Sequence, residues 1–282
     1  MLRKQHGSSR MLLSPIALSL TLAAAGCAHK GESGKAVPTP IQPAVVQPVA
    51  PPPPPPSTFE QPALDRLKQM SETLATAKSL TFKARSSGEF PAKTGQFVTY
   101  FAESSLALKR PNMLRAKVGG DLPHFVLYYN GSKLAAFDPA KKLYATTDAP
   151  NTLDAMLPFA MEKTGITFPS ADFMVADPYQ ALTKELTHAI VVGPAQVHGV
   201  ACEHFAFMNA NTNWEIWIES GKNALPRRLA VTYKDVPNFP RFVVELSDWN
   251  LKPSLSAGMF DFSKPEGAKQ VEFGTQMAAP GK

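Results

Sequence analysis

The sequence predicts an α+β domain built on an antiparallel sheet, with helices laid over one of its faces. Three observations predict it. From about Leu80 onward, apolar residues recur every second position in a succession of short runs separated by turn-forming residues. A helical period of three to four residues occurs only ahead of these runs and between Pro150 and Leu186. The only cysteines are Cys27 and Cys202, so no disulfide framework holds the fold. Stability then rests on an apolar core, for which the roughly 220 residues beyond Ser57 suffice.

The chain divides at residues 1–26, 27–57, 58–274 and 275–282. The first segment reads as an export signal, with Arg3, Lys4 and Arg10 ahead of an apolar run from Met11 to Leu22 and small residues after it. That run is too short for a membrane span, which needs about 20 residues. Ala24-Ala25-Gly26-Cys27 resembles a bacterial lipobox, although Ala24 stands where the pattern usually has leucine; ordinary cleavage at an Ala-x-Ala site is the other reading. The resemblance implies that Cys27 is acylated and becomes the first residue of the mature chain, anchored in a membrane. Ala28 follows it, not the aspartate that resembles an inner-membrane retention signal, so the expected location is the outer membrane, facing the periplasm. The net charge falls from +6 to +3 when Arg3, Lys4 and Arg10 leave, too small a surplus for a nucleic-acid partner.

Residues 27–57 read as a disordered tether. Pro38, Pro40, Pro43, Pro48 and the run Pro51 to Pro56 fix φ and remove backbone donors. In polyproline II such a segment reaches about 90 Å at ~3.1 Å per residue. The alternative, a ligand for a proline-reading module, lacks an adjacent charged specificity residue.

A helix follows, opened by Pro62, with Leu64, Leu67, Met70 and Leu74 on one stripe and Asp65, Arg66, Lys68 and Glu72 on the other face. After Ser79 the period becomes two. Strands are expected over Phe97–Leu108, Met113–Val118, Phe125–Tyr129, Leu134–Phe137 and Leu143–Thr146. Asn130-Gly131 predicts a tight hairpin turn with φ > 0 at both positions. Between Pro150 and Leu186 the stripe Leu153, Met156, Leu157, Ala160 and Met161 is interrupted by Pro158; Phe168, Phe173, Met174 and Val175 follow, and Asp177-Pro178 caps a second helix through Leu186. This segment reads either as two core helices or as a movable cover over an apolar cavity, whose adaptable thioethers are Met156, Met161 and Met174.

Strands resume at His188–Val197. In the next, Trp214, Ile216 and Ile218 share one face and Glu215, Trp217 and Glu219 the other. Leu229, Val231 and Tyr233, and then Phe242, Val244 and Leu246, alternate in the same way, so each strand has one buried face.

The order Gly199-Val200-Ala201-Cys202-Glu203-His204, Trp214-Glu215-Ile216-Trp217 and Leu225-Pro226-Arg227-Arg228 resembles a bacterial family of predicted periplasmic proteins of unknown function. Their fold looks like that of the lipoprotein carriers LolA and LolB and the regulator RseB. The ending Phe260-Asp261-Phe262-Ser263-Lys264-Pro265-Glu266-Gly267 is similar to the superfamily's Phe-x-Phe…Pro-x-Gly tail. The resemblance implies a strongly curved sheet, an open half-barrel whose concave face is covered by helices around an apolar cavity. The cavity-lining candidates are Leu153, Met156, Leu157, Met161, Phe168, Phe173, Met174, Trp214 and Trp217; Gly199, Cys202, His204 and Pro226 are the structural motif.

Chemistry is sparse. Cys202 and His204 share a face and sit near His188 and His198, but a hairpin turn at His198-Gly199 breaks the phase. Two neighbours fall short of a zinc site, so no metal, cofactor or catalytic residue is expected. Arg227 and Arg228 read either as a solvated strand end or as contacts to an acidic head group, and His124 as a satisfied sheet residue. Walker, nucleophile-elbow and His-Glu-x-x-His patterns are absent. The expected function is a membrane-held protein that binds a lipid, acyl chain or lipoprotein; the alternative is an envelope protein-interaction or sensing module. Val118 to Pro123 is the one candidate for a receiving loop.

Overall fold

A computed structural model describes residues 56–273 apart from 122, 123, 166, 167 and 169. The signal, Cys27, nearly all of the proline-rich segment, residues 275–282 and part of the Val118 to Pro123 loop lie outside the described residues.

Among the described residues, thirteen strands form one sheet. A two-residue β1 (Thr58–Phe59) leads into α1 (Gln61–Thr76) and then into a six-strand meander: β2 (Ser79–Pro91), β3 (Phe97–Lys109), β4 (Met113–Gly120), β5 (Phe125–Tyr129), β6 (Lys133–Asp138) and β7 (Leu143–Asp148). Helices interrupt it: α2 (Leu153–Thr164), a single 3₁₀ turn (Ala171–Phe173) and α3 (Pro178–Thr183). A second meander follows through β8 (His188–Val197), β9 (Val200–Met208), β10 (Thr212–Glu219), β11 (Pro226–Tyr233) and β12 (Arg241–Asn250), and β13 (Lys269–Gln270) comes last. The two meanders join where β12 pairs antiparallel with β2, Phe242 opposite Gly88 and Leu246 opposite Ala84. The outer strands are parallel additions, β1 beside β8 and β13 beside β7.

Local chemistry explains the boundaries. Pro62 occupies the first turn of α1; Leu67, Met70 and Leu74 of the expected stripe are buried, while Leu64 is half-buried and Ala63 is buried beside it. Thr152 caps α2 by accepting from the Ala155 amide at 3.3 Å, and Gly165 ends it at φ 70°, its N–H donating to the Met161 carbonyl. The second helix stops at Thr183, short of Leu186, because Lys184 turns extended and Glu185 is left-handed at φ 57°.

Asn130-Gly131 does make a hairpin, but not the expected turn. Only Gly131 has positive φ, while the Asn130 side-chain oxygen accepts from the Ser132 and Lys133 amides. A Cβ on Gly131 would lie 2.4 Å from Asn112, so this glycine is also set by close packing. A tight hairpin turn with both φ values positive is found at His198-Gly199, 47° and 80°.

Side chains of α1 and α2 join the inner face of the sheet in one hydrophobic cluster. Trp214, Ile216 and Ile218 are buried there beside Phe205 and Phe207, and Phe207 stacks on Trp214 at 4.1 Å. Near the end of β12 a bulge, with Asp248 at φ 53°, places Trp249 against Phe82 at 4.4 Å; its indole N–H donates to the Pro226 carbonyl. The motif residue Pro226 thus fixes a corner of the core.

Candidate functional site

The segment from Pro150 to Thr187 is a single insertion between the two meanders, and most of the predicted lining residues meet beneath it. Leu153, Met156, Leu157, Phe173, Met174 and Trp214 are at most 6% exposed, and Phe168 packs against the same cluster half-buried. They interlock as a filled core. One depression of about 360 Å³ lies along β2, β3 and β4 near Lys83 and Arg115, and another of about 330 Å³ lies between α1 and the insertion residues around Asp177.

Two lining expectations are corrected. Met161 is 56% exposed: it falls at the flank of the α2 stripe, roughly 80° around the helix from Leu153, in the last turn. Trp217 lies on the opposite face from Trp214, as strand alternation demands, and stacks on His204 at 4.0 Å and 11°.

Polar hooks tie the insertion down. Arg110, in the β3–β4 turn, donates from Nη1 to the carbonyls of Met174 and Val175, both at 2.7 Å, and from Nη2 to the Leu74 carbonyl at 3.4 Å. Its Nε finds no acceptor, and burial pulls its pKa down against the pull of Asp154. Asp154 accepts from the Ala176 amide at 2.8 Å, and the Tyr129 hydroxyl donates to the Pro150 carbonyl at 2.5 Å. Burial pushes Tyr129 up to about 12, so it stays a donor. Asp177 caps α3 through the Gln180 amide, as expected, while burial raises the carboxyl of Asp172. On α1, Arg66 donates to the Glu219 carbonyl; its Nε lies 2.8 Å from Glu203 Oε2, placed for an ion pair but not for a hydrogen bond. Sequence reading missed Arg110, Tyr129 and Asp154, because nothing local distinguishes a turn arginine that reaches across the fold.

The outer face carries the family motif. Cys202 and His204 do share a face, opposite Glu219 and Trp217. The Cys202 thiol is 2% exposed and 3.4 Å from the Val200 carbonyl; burial raises its pKa, so it is a poor nucleophile. His204 Nε2 meets Glu215 Oε2 at 3.0 Å, and burial lowers the imidazole against the opposing pull of Glu215. His198 Nε2 meets Glu245 Oε2 at 2.6 Å. Neither arginine of the Arg227-Arg228 pair is a free cation or a bare strand end. Arg227 forks onto Glu219, and Arg228 onto Glu245 while lying 5.3 Å over the Trp217 ring. Among the described residues no three His, Cys, Asp or Glu side chains stand together as metal ligands.

The fold is loosely similar to several solved structures. The lipoprotein LppX of Mycobacterium tuberculosis is 10% identical, with 70% of this chain and 100% of that one covered and a TM-score of 0.40. A LolA superfamily protein from Nitrosomonas europaea is 11% identical, with 71% and 97% covered and a TM-score of 0.33. The Pseudomonas aeruginosa MucA/MucB complex contributes a chain 15% identical, with 72% and 61% covered and a TM-score of 0.39. No curated protein sequence matches the chain. The model of the predicted periplasmic protein family DUF2092 matches residues 63–274, from α1 past β13, and the chain belongs to that family.

Proposed function

We propose that this protein is an acylated envelope lipoprotein, held through Cys27 in the outer membrane and facing the periplasm, whose domain takes up an apolar ligand such as a lipid or acyl chain beneath the Pro150 to Thr187 insertion. The observation that carries this reading is the insertion's construction. Its inner side is adaptable apolar surface, Met156, Met174 and Phe173, while side-chain hooks from Arg110, Asp154 and Tyr129 bear much of its polar attachment. In this reading the sheet curves about the insertion as a half-barrel, and the ligand enters by displacing side chains that fill the interior when it is absent. Apolar burial at about 25 cal/mol per Å² drives the exchange. The anchor makes the protein a fixed holder, since an acylated chain does not diffuse between membranes.

Native mass spectrometry of the full chain is expected to find a co-purifying lipid, and a fluorescent fatty acid is expected to titrate to saturation. No lipid together with no saturation overturns the reading. The filled core favours a second reading, an envelope protein-interaction module without a small ligand. Under it the titration stays flat and cross-linking through the outer face captures a protein partner. Neither reading asks for catalysis or a cofactor.

A further inference from the structure

Among the described residues, ten large apolar side chains are exposed, and nine of them crowd toward one end of the sheet. The strand register defines that end. His188 opens β8 opposite Met208, which closes β9; Thr212 opens β10 opposite Tyr233, which closes β11; Phe242, next to the start of β12, lies opposite Gly88 near the end of β2; and Gly88 faces Tyr100 near the start of β3. Phe59 and the first half of β8, Ile190 to Val192, lie at one side of this end. Phe90 and Phe101 lie on β2 and β3, and Tyr233, Val236 and Phe239 lie at and beyond the end of β11. The tenth, Met161, is on α2. The opposite end presents the turns at Arg110, Asn130, His198 and Lys222, with none of these side chains.

We infer that this end of the sheet is a lipid-facing pole, which lays its exposed aromatic side chains into the surface of the membrane that holds the protein. Three features favour a bilayer as the occupant. First, the described chain begins here: Thr58 pairs with His188, so the point where the proline-rich segment from Cys27 joins the domain is at this same end. Second, the aromatics point from both faces of the sheet. Phe90 lies with Gly88 and Phe242 on the inner face, and Phe101 is paired with Ser87 on the outer one. A flat protein partner meets one face, whereas a lipid surface accepts apolar groups all around an immersed end. Third, the exposure is built in. The Phe239 loop is bracketed by Pro237 and Pro240; Asn238 and Phe239 hold φ of 65° and 50°; and the Lys234 amide and ammonium are held by the Asn211 and Asn209 carbonyls, each at 2.7 Å. A bulky aromatic kept in left-handed backbone at 61% exposure is presented outward. Aromatic side chains are the residues that settle at the headgroup level.

The pole stands whether or not the interior takes a ligand. Its test uses the full acylated chain in phosphatidylethanolamine–phosphatidylglycerol vesicles doped with bromine-labelled lipid. Phe239→Trp places a reporter at the pole, Lys222→Trp one at the opposite end, and the wild type supplies the background of the three native tryptophans. Strong quenching is expected for the Phe239→Trp signal and none for Lys222→Trp, and adding Phe90→Ser and Phe101→Ser is expected to cut the quenching by about half or more. Circular dichroism checks that these exposed substitutions keep the fold. Equal quenching at both ends, or none at the pole, overturns the proposal. So does shielding of the Phe239→Trp reporter without vesicles, either by self-association in sedimentation or by a contact that disappears on deletion of residues 38–55.

Discussion

Replacing Arg110 by methionine keeps the aliphatic stem and removes the donor shared by the Met174 and Val175 carbonyls. Two part-buried carbonyls are then left without it, and the expected cost is about 2–4 kcal/mol in a urea titration. Hydrogen exchange separates local from global effects: amides of residues 173–176 are expected to lose protection ahead of those in β10. Equal loss everywhere would mean that Arg110 holds the whole fold and not the insertion. His204 bears on pH. Burial holds its imidazole below the ordinary 6.5, so on acidification the unfolded chain takes up the proton first and stability falls as pH drops through the unfolded value. Glu245 adds to this below its ordinary 4.5: burial raises it, but the stronger combined pull of His198 and Arg228 holds it down, and its contribution is lost as pH falls through the lowered value. The melting temperature is therefore expected to fall between about pH 7 and 5, and His204→Gln to flatten that slope; an unchanged slope rules His204 out as its source. At this scale the sequence made legible which residues alternate, so Trp214 and Trp217 separate correctly, but not which arginines reach across the fold. Arg110, Arg227 and Arg228 look alike in a turn or strand, and their partners are 8 to 65 residues away.

The α2 helix carries its own interruption. Pro158 has no N–H to give the Asp154 carbonyl, and its ring crowds the preceding turn. Pro158→Ala restores that hydrogen bond and is expected to raise unfolding stability by about 1–3 kcal/mol. If the insertion must yield to admit a ligand, the same change slows fatty-acid uptake in stopped flow; faster uptake would contradict that mechanism. Gly165→Ala works in the other direction: no atom crowds a Cβ there, so only the left-handed φ of 70° opposes it, at about 1 kcal/mol. Element existence was legible wherever a period ran for five residues or more, as in α1, β10 and β11. The turn chemistry at Asn130 was not, because Asn112 packs against Gly131 from a distant turn and the asparagine side chain competes for the Ser132 and Lys133 amides. The two-residue strands β1 and β13 were also beyond reach, since two residues carry no period.

The pairing of β12 with β2 makes one sheet of two meanders and brings the β2–β3, β4–β5, β9–β10 and β11–β12 connections to one end, and no local pattern announces so distant a contact. In the proposed arrangement the anchor and the pole both draw the domain toward the membrane. Radiolabelled palmitate is expected to enter the wild type and not Cys27→Ala; equal labelling would remove the anchor. Given the anchor, spacer length decides between two arrangements. A domain with no attraction to lipid uses the reach of its proline-rich segment, about 90 Å at full extension, and stands at distances set by that length. A domain with a lipid-facing pole is drawn down to the surface, because the anchor holds it at high local concentration beside the bilayer. Removing Pro51 to Pro55 from the Phe239→Trp chain is therefore expected to leave quenching by bromine-labelled lipid unchanged, the pole being already seated. A rise in quenching as the spacer shortens would show that the spacer, and not the aromatic end, sets how near the domain comes to the membrane.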